Sequence, residues 1–273
     1  MALKLASDKR IQLKGSAMLK RVVFIVVMMF GFVQLNVDVW AESLNNLDYE
    51  PLQPLQAPEE SLILQKKRAL GKRLFHDVRL SGNNSVSCAH CHILTAGGVD
   101  GLPLSSGMKN QHTIRNTPTV FNVSLNMHQF WDGRAKDLKA QLDEVIGSSF
   151  EMNSDWPSIQ KKLIKDRDYK KRFHALYDDG LTIANMKHAL ITFEESLITT
   201  GSRFDRYLKG DKQAINVNEL KGYQIFKSYG CVACHQGANV GGNLFQKMGV
   251  FKSYFDPYAA EESDLGRFSI TGK

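Results

Sequence analysis

Two short motifs constrain this chain more than any other feature: CAHCH at 88–92 and CVACH at 231–235. Both are C-x-x-C-H, the attachment sequence of c-type haem, in which two thiols add to the porphyrin vinyl groups and the following histidine binds the iron. The sequence therefore predicts two covalently bound haems, with His92 and His235 as iron ligands. The predicted thioether residues are Cys88, Cys91, Cys231 and Cys234, which are all the cysteines of the chain.

Zinc and dithiol chemistry are the competing interpretations of the same cysteines. Zinc ribbons place their two C-x-x-C pairs about 15–20 residues apart, whereas about 140 residues separate the pairs here. A thioredoxin-like dithiol requires a βαβ context, which the sequence does not indicate. Because both pairs also carry the trailing histidine, haem attachment is favoured over either alternative.

The first 41 residues have the pattern of a secretory signal. Lys20 and Arg21 precede the apolar run VVFIVVMMFGFV at 22–33, and Val39-Trp40-Ala41 resembles a small-x-small cleavage site. The run is short for a membrane span, although a retained N-terminal anchor remains an alternative. We expect cleavage after residue 41, a periplasmic product and no membrane association after cleavage.

Charge and composition exclude some classes of partner. The whole chain has a net charge of +7, but residues 1–41 hold six Lys or Arg and two Asp, so residues 42–273 carry only +3. A basic stripe interleaved with aromatic residues, which is typical of nucleic-acid binding, does not occur. We expect no nucleic-acid partner.

Hydrophobic periodicity favours an all-α fold. Apolar residues recur at helical spacing in 59–75, 137–146, 156–164, 182–197 and 218–226. Strand alternation is scarce, and 80–122 is rich in Gly, Asn, Ser and Pro. A loop of this length is unusual unless it surrounds a cofactor or builds a site, so we expect it to wrap the first haem. A domain boundary is expected near residue 200.

Several longer motifs carry a family resemblance. They are LGKRLFHDVRLSGNNSVSCAHCH at 70–92, GGVDGLP at 97–103, RNTPTVFN at 115–122, QFWDGRA at 129–135, FEMN at 150–153 and GCVACHQGANVGG at 230–242. With these motifs in order, residues 70–273 resemble the bacterial dihaem cytochrome c peroxidases, a group that includes the MauG-type enzymes. The resemblance implies two cytochrome c-like helical domains with one haem each. These are a peroxidatic domain at 42–200 and an electron-transfer domain at 201–273.

The resemblance also implies roles for four residues. Glu151 corresponds to the distal acid-base residue, which peroxide cleavage needs to move a proton between the two oxygens. Gln141 corresponds to its hydrogen-bonding partner, and Trp131 to the tryptophan between the haems that mediates electron transfer. Asn116 corresponds to a calcium ligand, although a lone Asn is weak support for Ca²⁺. From the residues alone, a loop carboxylate, a solvated Gln and a packing Trp remain alternatives.

The sequence departs from the family pattern at two places. Many relatives have a His after the first motif that caps the resting peroxidatic iron, but Met108 stands there, with His112 four residues further on. We expect that neither binds, so that the first iron is five-coordinate at rest and needs no reductive activation. The chain also ends 38 residues after His235, before the family's distal ligand of the second haem. Met248 lies too close to His235 to match that ligand, so we expect a C-terminally truncated sequence.

Three functions are compatible with these features. The favoured one is a periplasmic peroxidase that reduces hydrogen peroxide to water with electrons from a small donor, a cytochrome c or a cupredoxin. The second is a MauG-like oxidase that modifies a protein or organic substrate. The third is a plain dihaem electron carrier, against which Glu151 and Trp131 argue. The oligomeric state stays open, with a homodimer as one option.

Overall fold

Helices make up the regular structure of this computed structural model, which describes residues 50–108, 111–247, 250–251 and 265–272. Within these ranges there is no β-strand, only isolated bridges between single residues. The α-helices are α1 (Leu62–Phe75), α2 (Cys88–Cys91), α3 (Leu138–Gly147), α4 (Trp156–Leu163), α5 (Arg167–Leu176), α6 (Ile183–Glu195), α7 (Arg203–Leu208), α8 (Val217–Ser228) and α9 (Phe268–Thr271). The prediction of an all-α fold is confirmed.

The five helical segments expected from periodicity are all present, and N-terminal caps decide where four of them begin. Ser61, Asp137, Asp155 and Thr182 each accept a hydrogen bond from a backbone N–H in the first turn of the helix that follows. Such caps satisfy donors that have no partner within the helix. For this reason α1 starts at Leu62 rather than at residue 59.

Four described helices, α2, α5, α7 and α9, were not expected from periodicity, and α5 and α7 are the longest of them. Helix α5 is rich in charged residues, and its buried face consists of Tyr169 and Phe173 only. Helix α7 has six residues and begins with a capping box, in which Ser202 and Asp205 exchange side-chain and backbone hydrogen bonds. Helix α5 has only two buried positions to reveal a period, and α7 is too short to show one.

The core of the described structure forms where α1 crosses α6. Gly71 lies at the crossing, and a Cβ atom there would come within 1.9 Å of the Ala189 carbonyl oxygen. Glycine therefore allows the two helix backbones to approach closely. Next to it, the ring of Phe75 meets the ring of Phe193 edge-on, with 5.2 Å between centroids. Helices α3 and α4 add Leu142, Ile146, Ile159 and Leu163 to the same apolar cluster.

An extended N-terminal strap, residues 51–55, is held by the C-terminal part of the chain. Gly237 donates its N–H to the Pro51 carbonyl oxygen (2.8 Å) and accepts from the N–H of Gln53. The N–H of Leu55 donates to a carboxylate oxygen of Asp205 (3.2 Å), and Lys209 donates to the Leu55 carbonyl oxygen. The strap thus connects α7 with the segment that follows the second C-x-x-C-H motif.

Residues 51–273 form one compact unit, and the expected boundary near residue 200 stays a prediction. The predicted signal at 1–41 and Met248 lie outside the described residues. In the part of the chain that is described, every helix is too short or too polar to cross a lipid bilayer. Segment 80–122 is mostly irregular, as expected, with α2 and the 3-10 turn Leu94–Ala96 inside it.

Candidate functional site

The first C-x-x-C-H motif forms a single helical turn. Ser87 is extended, Cys88–Cys91 is helical, and the N–H of His92 donates to the Cys88 carbonyl oxygen (2.9 Å). The Nδ1 atom of the His92 ring lies 3.2 Å from the carbonyl oxygen of Gly98. A carbonyl oxygen can only accept, so Nδ1 carries the hydrogen and Nε2 keeps its lone pair. A metal-binding histidine needs this tautomer.

The second motif repeats this arrangement. Cys231–Ala233 is a 3-10 turn that follows Gly230, which adopts the left-handed conformation (φ 77°). The N–H of His235 donates to the Cys231 carbonyl oxygen (2.9 Å), and His235 Nδ1 lies 3.1 Å from the Val240 carbonyl oxygen. Two histidines that are 143 positions apart therefore present the same free nitrogen. The two cysteines of this motif, Cys231 and Cys234, are exposed to solvent.

A helix with a phenylalanine in its last turn precedes each motif. Helix α1 ends GKRLF at 71–75, and α8 contains GYQIF at 222–226. The Phe75 ring lies 6.4 Å from the ring of His92, and the Phe226 ring lies 6.2 Å from that of His235. The sequence analysis missed this repeat, although Gly-x-x-Leu/Ile-Phe ahead of both motifs was a readable signal.

The residues of the first motif fit a covalently attached haem. Burial raises the pKa of Cys88, and it raises that of Cys91 to about 11, so both are protonated thiols at neutral pH. Burial also lowers the pKa of His92, which keeps its imidazole neutral. Two thiols and a neutral imidazole in one turn are the donor set that haem attachment requires.

Glu151 lies close to both of these thiols. Its carboxylate adds to the rise of the Cys88 and Cys91 pKa values. Its backbone N–H donates to the Ser148 carbonyl oxygen (3.1 Å), just after α3 ends. Burial raises the pKa of Glu151 itself, while a hydrogen bond from Ser148 and the positive charge of Arg134 oppose that rise. The structure thus places the predicted acid-base residue beside the first motif.

Gln141 lies on α3, the helix that leads to Glu151. Its side-chain Oε1 atom is buried and has no hydrogen-bond partner among the described protein atoms. A buried amide oxygen without a partner is costly, and it indicates an interaction with a group that the protein chain does not supply. This favours the predicted site role over a solvated glutamine.

Trp131 and Asn116 are brought together. The indole N–H of Trp131 donates to the backbone carbonyl oxygen of Asn116 (3.0 Å). The Trp131 side chain is 60% exposed and does not belong to the apolar core of the described residues, and its role between the haems stays a prediction. Within the described residues, no group of three or more His, Cys, Asp or Glu could hold a metal ion. Calcium at Asn116 stays a prediction.

An arginine-aspartate network, not foreseen from the sequence, fixes the loop that carries Trp131. Asp132 is buried and accepts hydrogen bonds from Arg115 (2.6 Å) and Arg134 (2.9 Å). Arg134 continues to Glu144 on α3 (2.7 Å). Arg267 donates to the carbonyl oxygens of Asp132 and Gly133. Arg134 therefore connects the Trp131 loop to the helix that positions Glu151. The sequence signal for this role was the place of Arg134 in the QFWDGRA motif.

The two residues considered as alternatives for the capping position lie in different surroundings. Met108 is 2% exposed and belongs to the apolar core. His112 is exposed, and its Nδ1 atom pairs with the hydroxyl of Ser106 (3.2 Å). The structure brings Met108, but not His112, into the buried region that also contains Cys88.

Comparison with known proteins identifies the family of this chain. Residues 65–213 match the model of the di-haem cytochrome c peroxidase family. Cytochrome c551 peroxidase of Nitrosomonas europaea is 45% identical over 82% of this chain and 65% of its own length. Cytochrome c peroxidase Ccp of Escherichia coli is 42% identical over 81% of this chain and 47% of its own. The methylamine utilization protein MauG of Methylophilus methylotrophus is 32% identical over 72% and 60%.

A solved structure shares the fold. The crystal structure of a MauG-like protein associated with microbial copper homeostasis superimposes with a TM-score of 0.65 at 24% identity, over 82% of this chain and 69% of that one. The chain spans between 47 and 65% of the length of the three relatives named above. Two bound haems are implied by this family assignment. The family match and these identities show that the chain belongs to the di-haem cytochrome c peroxidase family.

Proposed function

We propose that this chain is a periplasmic di-haem peroxidase that reduces hydrogen peroxide to water. Two electrons come from a small redox protein, a cytochrome c or a cupredoxin, and two protons come from solvent. The observation that carries the proposal is the position of Glu151, a half-buried carboxyl whose charge acts on both thiols of the first motif. The first haem would be held by Cys88, Cys91 and His92, and the second by Cys231, Cys234 and His235.

Haem iron supplies the redox chemistry of peroxide cleavage when it is bound. The protein supplies the movement of protons. Glu151 as a carboxylate accepts the proton from one peroxide oxygen, and as a carboxylic acid it returns that proton to the leaving oxygen. Burial raises the pKa of Glu151, which makes its carboxylate a stronger proton acceptor in the first step, whereas the charge of Arg134 lowers the pKa and so helps the acid to return the proton in the second.

Gln141 and Trp131 have supporting roles in this proposal. The unpartnered Oε1 atom of Gln141 accepts a hydrogen bond in the site, and the amide can orient the substrate that Glu151 protonates. Trp131 offers an extended π-system, held by its bond to Asn116, through which electrons pass between the two haems. Calcium at Asn116 and a homodimer rest on the resemblance alone.

Peroxide turnover by the haem-loaded protein tests the proposal. We expect consumption of hydrogen peroxide with a reduced cytochrome c as donor, and an intact mass that includes two haems and lacks residues 1–41. Glu151→Gln should reduce turnover by about 10²- to 10⁴-fold, the usual contribution of a positioned acid-base group. Glu59→Gln, which removes one exposed carboxylate outside the site, should leave it unchanged.

Two results would contradict this function. The absence of peroxide turnover in the haem-loaded protein would favour a plain dihaem electron carrier, whereas unchanged turnover in Glu151→Gln would contradict only acid-base catalysis by this residue. Oxidation of an added protein or organic substrate, with no turnover of the reduced cytochrome, would favour the MauG-like alternative instead.

A further inference from the structure

Glu194 is a buried carboxyl to which neither the sequence motifs nor the proposed reaction assigns a role. It lies in the last turn of α6, and its side chain is 5% exposed. Its Oε2 atom is buried and has no hydrogen-bond partner among the described protein atoms. An unpaired buried carboxylate is strongly disfavoured, so the residue needs either a bound proton or an additional partner.

The carboxyl of Glu194 faces the first motif. After burial, its charge is the largest cause of the raised pKa of Cys88. Cys88 forms the bond to a haem vinyl group and does not bind the iron. The neighbouring residue, Phe193, packs on Phe75, whose ring lies against His92. Glu194 therefore lies at the edge of the pocket where the first haem would attach.

Among the described residues, no positive charge opposes the rise of the Glu194 pKa. Burial raises the pKa of Glu194 to about 8, and its neighbour Glu195 adds to the rise. The buried residues of α1, α3 and α4, which pack near α6, are apolar apart from Gly71. The titratable groups next to α6 are engaged elsewhere: Asp143 of α3 pairs with Lys187, and Lys67 of α1 lies over the ring of Tyr177. The charge of Glu151, which lies in another segment, also raises the pKa of Cys88.

We propose that Glu194 is a proton-holding residue of the first haem site, which takes up one proton when the haem iron is reduced. At pH values where Glu194 is ionised, it would bind one proton from solvent for each electron that the donor delivers to the haem site. The net charge of the buried site then stays constant. This inference rests on haem attachment at Cys88, as proposed above.

The physical reason is the low polarity of the pocket. Reducing the iron would add one negative charge near a carboxyl whose Oε2 atom has no hydrogen-bond donor among the described residues. Charges interact strongly where water is excluded, so reduction stabilises the protonated form of Glu194. Conversely, protonation favours the reduced iron, and the two equilibria are coupled reciprocally.

A redox titration at several pH values tests this role. We expect two midpoint potentials from the haem-loaded protein, one of which falls as the pH rises through the range around the Glu194 pKa of about 8. Full coupling of one proton to one electron corresponds to about 59 mV for each tenfold change in proton concentration. The other potential should depend less on pH.

Variants at two adjacent positions separate a proton-holding role from a structural one. Glu194→Gln keeps a hydrogen-bonding side chain of similar size but cannot titrate, so the pH dependence of that potential should largely disappear. Glu194→Asp retains a titrating group and should retain the pH dependence. This variant keeps the test decisive if Glu194→Gln folds poorly. Glu195→Gln is the control on the same helix. It should retain the pH dependence, displaced to lower pH, because the charge of Glu195 adds to the rise of the Glu194 pKa.

The inference is overturned if neither potential depends on pH near this value, or if the dependence survives unchanged in Glu194→Gln. Peroxide turnover measured on the same samples distinguishes this failure from failure of the proposed function. An active peroxidase with pH-independent potentials would contradict only the role of Glu194. A protein without bound haem would contradict the proposed function itself.

Discussion

The backbone N–H of Met108 donates a hydrogen bond to the carbonyl oxygen of Glu151, across 3.1 Å. This bond fastens the segment after the first motif to the segment that carries the proposed acid-base residue. Gly107 permits the contact, because a Cβ atom there would lie 1.8 Å from the Phe150 carbonyl oxygen. The backbone of Met108 is therefore in a fixed position next to Glu151, and its buried side chain packs in the core.

This geometry leads to a prediction about the resting state of the first haem. We expect the iron to be five-coordinate and high-spin in the oxidised protein, and turnover to begin without prior reduction. Met108→Leu conserves volume in the core, and His112→Ala removes an exposed ring. Neither change should alter the absorption or magnetic resonance spectrum of the first haem. Loss of a low-spin signal in one of these variants would identify that residue as a ligand.

Arg134 should set the acid limit of turnover. Glu151 must be ionised to accept the first proton, so activity is lost as the pH falls through its pKa, which burial raises. The charge of Arg134 opposes that rise. Arg134→Gln should therefore move the acid limb of kcat/KM to higher pH, whereas Arg134→Lys retains a positive charge and should move it less. If the acid limb of kcat/KM lies at the same pH in both variants and in the unmodified protein, Arg134 does not act on Glu151.

The two glycines ahead of the motifs give a matched pair for stability. Gly71→Ala places a methyl group against the backbone of Ala189 at the crossing of α1 and α6, so we expect a loss of about 1–3 kcal/mol in the free energy of unfolding. Gly222→Ala meets no described atom within 4 Å and should be neutral, or stabilising by up to about 1 kcal/mol, because alanine favours helix. Chemical denaturation measures both. Equal effects would contradict the close crossing.

Asp205 should anchor the N-terminal strap as well as cap α7. Asp205→Ala removes the acceptor of the Leu55 N–H and one half of the capping box. We expect a loss of about 1 kcal/mol together with faster hydrogen exchange at Leu55. Asn216→Ala disrupts the similar capping box of α8 and should cost a comparable amount without changing exchange at Leu55. Unchanged exchange at Leu55 in Asp205→Ala would show that the strap is held elsewhere.

Glu194 should also leave a mark on the pH dependence of stability. Its pKa rises from 4.5 to about 8 on folding, so the folded state binds more protons than the unfolded state between these values. The contribution of this group is complete below the lower value and declines as the pH rises to the upper one. Glu194→Gln should remove this part of the slope in denaturation experiments, while Glu195→Gln should retain it. Identical slopes in the two variants would contradict the raised pKa.

The sequence was sufficient for the features that depend on local spacing. Two thiols and a histidine within five residues specify the attachment motif, whatever the rest of the chain does. Helical periodicity likewise located α1, α3, α4, α6 and α8, and the caps adjusted their ends by a few residues. The family resemblance, carried by long motifs in order, is confirmed by the match at 65–213.

Only the tertiary structure decided which residues from distant segments share one environment. Glu194 lies at i+4 from Leu190 on the buried face of α6, a position that periodicity assigns to the core but cannot connect to Cys88. Likewise, the pattern did not show that Arg134 acts on Glu151, or that residues 51–55 bind beside Gly237. Burial and long-range contacts set these pKa values and hydrogen bonds, because they depend on which groups exclude water from each other. Sequence spacing does not contain that information.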